Sequence, residues 1–179
     1  GGPGVTCLDA VTGERQWETV TESAVKNRVA VDGDGHCAAL GVSGCLFLLD
    51  TASGQVRWRR DLPRFPQRWL FGSPVVDQGH VYCGGRGGYG AWRIDTGDIA
   101  WYTELDTTDV YACYAIPVLT EHLLINVVQG NGGAVALRLD TGEIVWRRQE
   151  QGGVHYMAAG PVLMNGNRVI LPGAQNKLL

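Results

Sequence analysis

A chain of 179 residues can bury one sizeable core, and 26 glycines against 18% charged residues suit short strands and tight turns better than a solvated, disordered tail. The net charge of −3, with no run of Lys or Arg, sets nucleic acid aside as a partner, because phosphate binding draws on a concentrated positive surface. No apolar stretch approaches the roughly 20 residues that a membrane-spanning helix needs, and no signal sequence opens the chain at Gly1.

In chain order, residues 1–18 read as the last two strands of a four-stranded unit: Val5-Thr6-Cys7-Leu8, a turn through Gly13, and a strand from Glu14 to Glu18. The turn and the Trp that follows it then recur. Thr12-Gly13 leads to Trp17, Ser53-Gly54 to Trp58, Thr96-Gly97 to Trp101 and Thr141-Gly142 to Trp146, with Gly-to-Gly spacings of 41, 43 and 45 residues. A period of that size marks a repeat protein. Complete units are expected over about 22–62, 67–105 and 110–149, and a trailing part-unit over about 154–179, all within one domain.

Within each unit an apolar run such as Leu46-Phe47-Leu48-Leu49 or Val135-Ala136-Leu137 predicts a strand. The Thr/Ser-Gly pair supplies a turn, since Gly takes positive φ cheaply, and a second strand ends on Trp. Two strands cannot bury their own faces, so a unit of roughly 40–45 residues with about four short strands predicts an all-β fold of propeller blades. One large ring per blade suits the seam between neighbouring sheets, which places Trp17, Trp58, Trp101 and Trp146 in equivalent environments. Trp17 should matter less if its blade is incomplete.

The innermost strands are expected near Ala24–Val31, Phe71–Val76, Ala115–Leu119 and His155–Leu163. Three of them carry a Pro (Pro74, Pro117, Pro161), which an edge strand lining a channel tolerates. The first carries Lys26-Asn27-Arg28 where the others carry Gly72-Ser73-Pro74, Ala115-Ile116-Pro117 and Ala159-Gly160-Pro161. Alternation of strand side chains would set Lys26 and Arg28 on one side and Asn27 on the other, a possible channel site for an anionic group. Both ends of the chain fall in mid-blade. The trailing strands either complete a blade with residues 5–18, closing a four-bladed ring, or belong to a slice of a larger propeller. Lys177–Leu179 would compete with Val5–Leu8 for one strand position, which favours the slice.

The four repeats resemble the tryptophan-docking segments of pyrroloquinoline-quinone-type β-propellers, whose pattern runs Ala-x-Asp-x-x-Thr-Gly-x-x-x-Trp. The Ala position holds Cys7, Leu48, Ala91 and Ala136, and the Asp position holds Asp9, Asp50, Arg93 and Arg138, with Asp95 and Asp140 standing two residues later. The resemblance implies a propeller in which Gly13, Gly54, Gly97 and Gly142 receive docking tryptophans. It is closest in character to the non-catalytic outer-membrane-assembly members and implies a bacterial, periplasmic or otherwise extracytoplasmic setting. The family also contains quinone-dependent dehydrogenases and sensor propellers joined to phosphoesterase or kinase modules.

Features that look chemical have structural readings. Gly85-Arg86-Gly87-Gly88-Tyr89-Gly90 fits a dinucleotide-loop pattern by letter, but a strand follows it where that loop needs a helix. His36, His80 and His122 stand at matching places in three blades, too far apart for a shared ~2 Å metal shell, and read as turn residues. Cys7, Cys37, Cys45, Cys83 and Cys113 form no CxxC and read as small core residues. No catalytic residue and no metal ligand is assigned. Quinone-using alcohol dehydrogenases carry two adjacent cysteines beside the cofactor, and this sequence has no such pair, so neither the quinone nor calcium is expected. The expected function is a scaffold or ligand-sensing propeller with a protein or peptide partner. The open blade edges also allow self-association. The channel reading predicts salt-sensitive, anion-dependent thermal stabilisation that Lys26→Ala/Arg28→Ala removes; equal shifts in both proteins in a thermal melt would delete the site.

Overall fold

A computed structural model describes residues 4–63, 72–85, 87–105, 116–127, 134–148, 162–164 and 168–170. Sixteen strands and no helix are found among them. Three four-stranded sheets follow one another: β3 (Ala30–Val31), β4 (His36–Leu40), β5 (Cys45–Asp50) and β6 (Val56–Asp61); β7 (Val75–Asp77), β8 (His80–Gly85), β9 (Gly88–Arg93) and β10 (Ile99–Glu104); β11 (Val118–Leu119), β12 (Leu123–Val127), β13 (Ala134–Arg138) and β14 (Ile144–Arg148). Two-stranded sheets flank them in sequence, β1 (Gly4–Leu8) with β2 (Arg15–Val20) and β15 (Val162–Met164) with β16 (Arg168–Ile170). Every pairing is antiparallel between sequential strands, so each sheet is a meander of the kind expected for a propeller blade.

The middle strands of each sheet are buried on both faces, and the side-chain alternation shows why their sequences read as unbroken apolar runs. On β4, Cys37 and Ala39 pack with Val5 and Trp17 of the first sheet, whereas Ala38 and Leu40 pack with Val81, Cys83 and Trp92 of the sheet after. On β8 and β9, Tyr82, Tyr89 and Ala91 turn toward Leu124, Val135 and Leu137 of the next sheet. The hydrophobic cores therefore lie at the seams between sheets. Each seam also carries a Trp from the last strand of the earlier sheet: Trp17, Trp58 or Trp101.

That Trp makes a repeated contact with the sheet that follows it. The indole N–H of Trp17 donates to the Thr51 carbonyl at 2.8 Å, that of Trp58 to Ile94 at 2.7 Å and that of Trp101 to Leu139 at 2.8 Å. In each case the ring lies over the turn glycine three residues beyond the acceptor. A Cβ added to Gly54 would stand 2.5 Å from the Trp17 ring, and one on Gly97 would stand 2.8 Å from Trp58. These glycines sit at φ +72, so both the backbone and the overlying ring exclude a side chain. Two residues after the Trp, Thr19 and Thr103 donate to the Gly54 and Gly142 carbonyls at 2.5 Å, and Arg60 donates to the Thr96 carbonyl at 2.6 Å.

The environments of the four tryptophans are not equivalent. Trp58 and Trp101 are 7% and 8% exposed and Trp17 is half-buried, while Trp146 is 36% exposed. The reason is directional: each ring packs on the following turn, so Trp17 finds its receiver at Gly54 although its own sheet has two strands. The first innermost strand is also shorter than the expected Ala24–Val31. Only Ala30–Val31 forms a ladder, with Val25 making a single bridge to Gly41. The preceding residues are held by local bonds instead, Thr21 Oγ1 donating to the Ser23 carbonyl and the Val42 N–H to that of Ala24. The expected landmarks Phe71, Ala115, His155, Ala159-Gly160-Pro161 and Lys177–Leu179 lie outside the described residues.

Two expectations follow from the seam contact. Trp101→Ala should cost about 3–5 kcal/mol in urea unfolding and Trp146→Ala well under half of that, because only the first empties a packed seam. Gly13→Ala should cost about 1–2 kcal/mol from its left-handed backbone alone, whereas Gly97→Ala should cost more because the Trp58 ring must also move. Equal losses at the two glycines would show that the indole packing is not what constrains Gly97.

Candidate binding cleft

A cavity of about 200 Å³ opens between the β7–β10 and β11–β14 sheets. Three turns build it. The β7–β8 turn contributes Gln78 and leads into β8, which carries His80 and Tyr82; the β11–β12 turn contributes Glu121 and His122; the end of β13 contributes Arg138, and the turn after it Leu139 and Asp140. Gln78 adopts φ +47 and Gly79 φ +72, a pair of left-handed residues suited to a two-residue hairpin turn. A non-glycine residue there is uncommon. The Gln78 amide reaches across to the Glu121 carbonyl at 3.5 Å, a long contact that bridges the two sheets.

The floor is tied to the seam. Leu139, whose carbonyl receives the Trp101 indole, has its own N–H bonded to the His122 carbonyl at 2.9 Å. Tyr82 lies 6.2 Å from Trp101 and 5.9 Å from His80, centroid to centroid, with both pairs tilted. His80 Nδ1 lies 2.9 Å from the Gln78 carbonyl. A carbonyl only accepts, so Nδ1 carries a proton and donates to it. Arg138 grips Asp140 through a two-pronged contact, Nε to Oδ1 at 2.9 Å and a terminal nitrogen to Oδ2 at 2.6 Å. That bond is the first cause of the lowered Asp140 pKa. Arg138 and Asp140 offset each other, which leaves Glu121 as the remaining carboxylate of the lining.

The profile of a protein family described as outer membrane protein assembly factor BamB, one of the PQQ-like propeller families, matches residues 2–179. The chain belongs to that family. A search of curated sequences finds no match. Among solved structures, BamB from Moraxella catarrhalis is 19% identical with a TM-score of 0.75, covering 99% of this chain and 57% of its own. The computationally designed protein Ika8 is 14% identical with a TM-score of 0.72, over 96% of this chain and 50% of its own. Quinohemoprotein alcohol dehydrogenase from Comamonas testosteroni is 18% identical with a TM-score of 0.70, over 94% and 37%. The chain thus spans a little over half the length of the BamB structure it resembles, and at these identities the likeness is one of fold.

Against the PQQ-like repeat pattern, the cleft sits where this chain departs from it. At the pattern's Asp position, Asp9 and Asp50 accept turn N–H groups: Val11 at 2.9 Å and Thr12 at 2.7 Å, then Ala52 at 3.1 Å and Ser53 at 2.9 Å. Arg138 takes that position in the last repeat and pairs with the displaced Asp140, moving a charged pair into the cleft wall. The departure was visible in the sequence, although its meeting with His80 and His122 was not. The three matched histidines keep to their own turns, His36 against Asp32 at 2.7 Å, His80 against Gln78 and His122 3.7 Å from Glu121. Two of them nonetheless line one cleft.

Lys26 and Arg28 are exposed and stand outside any strand, so the strand alternation assumed for them does not apply; Asn27, half-buried, donates to the Gly72 carbonyl of the next sheet at 3.3 Å. The loop of Gly85 to Gly90 is a hairpin between β8 and β9, with Gly85 paired to Gly88 and Gly87 at φ +87. Cys7, Cys37, Cys45 and Cys83 are free thiols, and burial pushes those of Cys37 and Cys45 up; Cys113 lies outside the described residues. Among the described residues no three His, Cys, Asp or Glu side chains are arranged to hold a metal ion.

Burial, reinforced by Asp77 and Asp140, pushes the Tyr82 phenol up to about 12. A phenol that ionises later in the folded chain than its ordinary value near 10 contributes stability that is intact below pH 10 and lost as the pH rises toward 12. The unfolding free energy should therefore decline over that interval, and Tyr82→Phe should flatten the decline. A phenolate absorbance titration that assigns Tyr82 a midpoint near 10 would contradict the burial.

Proposed function

We propose that this chain is a non-catalytic PQQ-like propeller module that binds other proteins, and that the seam cleft is one of its contact points. The observation that carries this reading is the size and make-up of the cleft. A volume of about 200 Å³ is smaller than the roughly 300–1,000 Å³ usual for cofactor and small-molecule pockets, and suits a side chain delivered by a partner. Its groups are donors and acceptors at the ends of strands and in turns, and the Glu121 carboxylate favours a Lys, Arg or amide side chain. The family description, outer membrane protein assembly factor, supports a partner among envelope proteins and a site of action outside the cytoplasm.

The quinone reading has less to stand on. The sequence has no adjacent cysteine pair, and the described cysteines lie on β1, β4, β5 and β8 rather than beside one another in the chain. Among the described residues none is assigned to that cofactor, and no step runs through it.

The test uses an outer-membrane β-barrel polypeptide, held unfolded in urea and diluted onto the immobilised chain. Saturable binding is expected, weakened about tenfold or more by Glu121→Ala/His122→Ala/Arg138→Ala, exposed or half-exposed positions whose loss leaves the seam intact. Absence of binding, or a stoichiometric quinone absorbance shift on adding pyrroloquinoline quinone with Ca²⁺, would overturn the proposal.

A further inference from the structure

Two of the described cysteines face each other across the seam between the β1–β2 sheet and the β3–β6 sheet. On β1, Val5 is buried and Cys7 half-buried while Thr6 and Leu8 are exposed, so Val5 and Cys7 turn to one face. That face meets β4. Val5 shares a buried cluster with Cys37, Ala39 and Leu49, and Trp17, which stands opposite Cys7 in the β1–β2 ladder, packs on the same cluster. Ala38 and Leu40 of β4 face the other seam, so the Cys37 thiol points back toward β1. The two sulfurs are close enough to interact, because burial first and Cys7 second push the Cys37 thiol up. The remaining described cysteines are placed elsewhere: Cys83 packs in the next seam, and the Cys45 sulfur lies among Ser43, Arg59 and Asp61.

We propose that Cys7 and Cys37 form a reversible disulfide across this seam, a modification site that fastens β1 to β4 beside Trp17. The inference is independent of the cleft and of its partner. The chemistry is exchange with a small disulfide oxidant. Cys7, the half-exposed thiol, loses its proton and attacks one sulfur of the oxidant, which gives a mixed disulfide and releases one thiol. The Cys37 thiolate then attacks Cys7 Sγ, forms the Sγ–Sγ bond and expels the second thiol of the oxidant. Two protons and two electrons leave the chain, and the oxidant takes up both pairs as it is reduced to two thiols. Burial keeps Cys37 protonated beyond the ordinary thiol range, which makes the second step the slow one. A disulfide needs its Cα atoms within roughly 7 Å, less than the ~10 Å of ordinary stacked sheets, so closure draws β1 toward β4. A bond closed against packing is the more readily reduced kind, and the site is therefore reversible.

The experiment exposes the folded full chain to excess oxidised glutathione, unfolds it, alkylates the free thiols and maps tryptic peptides by mass spectrometry. Peptide 1–15, which holds Cys7, should emerge joined to peptide 29–57, which holds Cys37 and Cys45, and excess reduced glutathione should separate them. Cys45→Ala should keep the link. Cys37→Ala should stop at the mixed disulfide on Cys7, and Cys7→Ala should lose the link altogether; circular dichroism should show all three variants folded. A wild type that yields no joined peptides, a link that needs Cys45, peptide 1–15 joined to a second copy of itself, or a Cys37→Ala chain that still joins the two peptides would each overturn the proposal.

Discussion

Everything in this chain depends on an indole ring laid over a glycine of the next sheet, with its N–H on a carbonyl three residues earlier. The contact does three things at once. It buries a large aromatic surface, satisfies the only polar group that surface carries, and fixes the rotation of one sheet on the next through a directional bond. The glycine is required twice, by its φ of +72 and by the ring above it. A propeller built this way does not need long strands, because the angle between neighbours is set at a point and the apolar seam follows.

That seam explains the composition. Strands such as β4 and β9 divide their side chains between two cores, Ala38 and Trp92 to one seam, Ala39 and Ala91 to others, so no face of a middle strand is left for water. In the turns, Asp9 and Asp50 satisfy backbone N–H groups. The cleft arises from this division. At one seam the turn residues of two sheets converge above Trp101, and Arg138 in place of a turn-capping Asp brings an ion pair to the rim.

The same contact also gives the chain a direction. Trp17, Trp58 and Trp101 each reach forward to the turn of the sheet that follows in the chain, and the Thr or Arg two residues later bonds to the same turn.

The repeat itself was legible in the sequence: four Gly-x-x-x-Trp motifs at spacings of 41, 43 and 45 residues predict like units, and the short apolar run Leu46–Leu49 predicts a strand. Those inferences rest on local physics, the turn preference of Gly and the two-residue period of a strand. What lay beyond the sequence was which neighbour each side chain meets. The forward reach of Trp17, the exposure of Trp146, the shortness of β3 and the meeting of His80 with His122 depend on how one sheet is rotated against another. That rotation is set by contacts some 34 to 38 residues apart in the chain, a distance over which strand alternation and turn propensity carry no information.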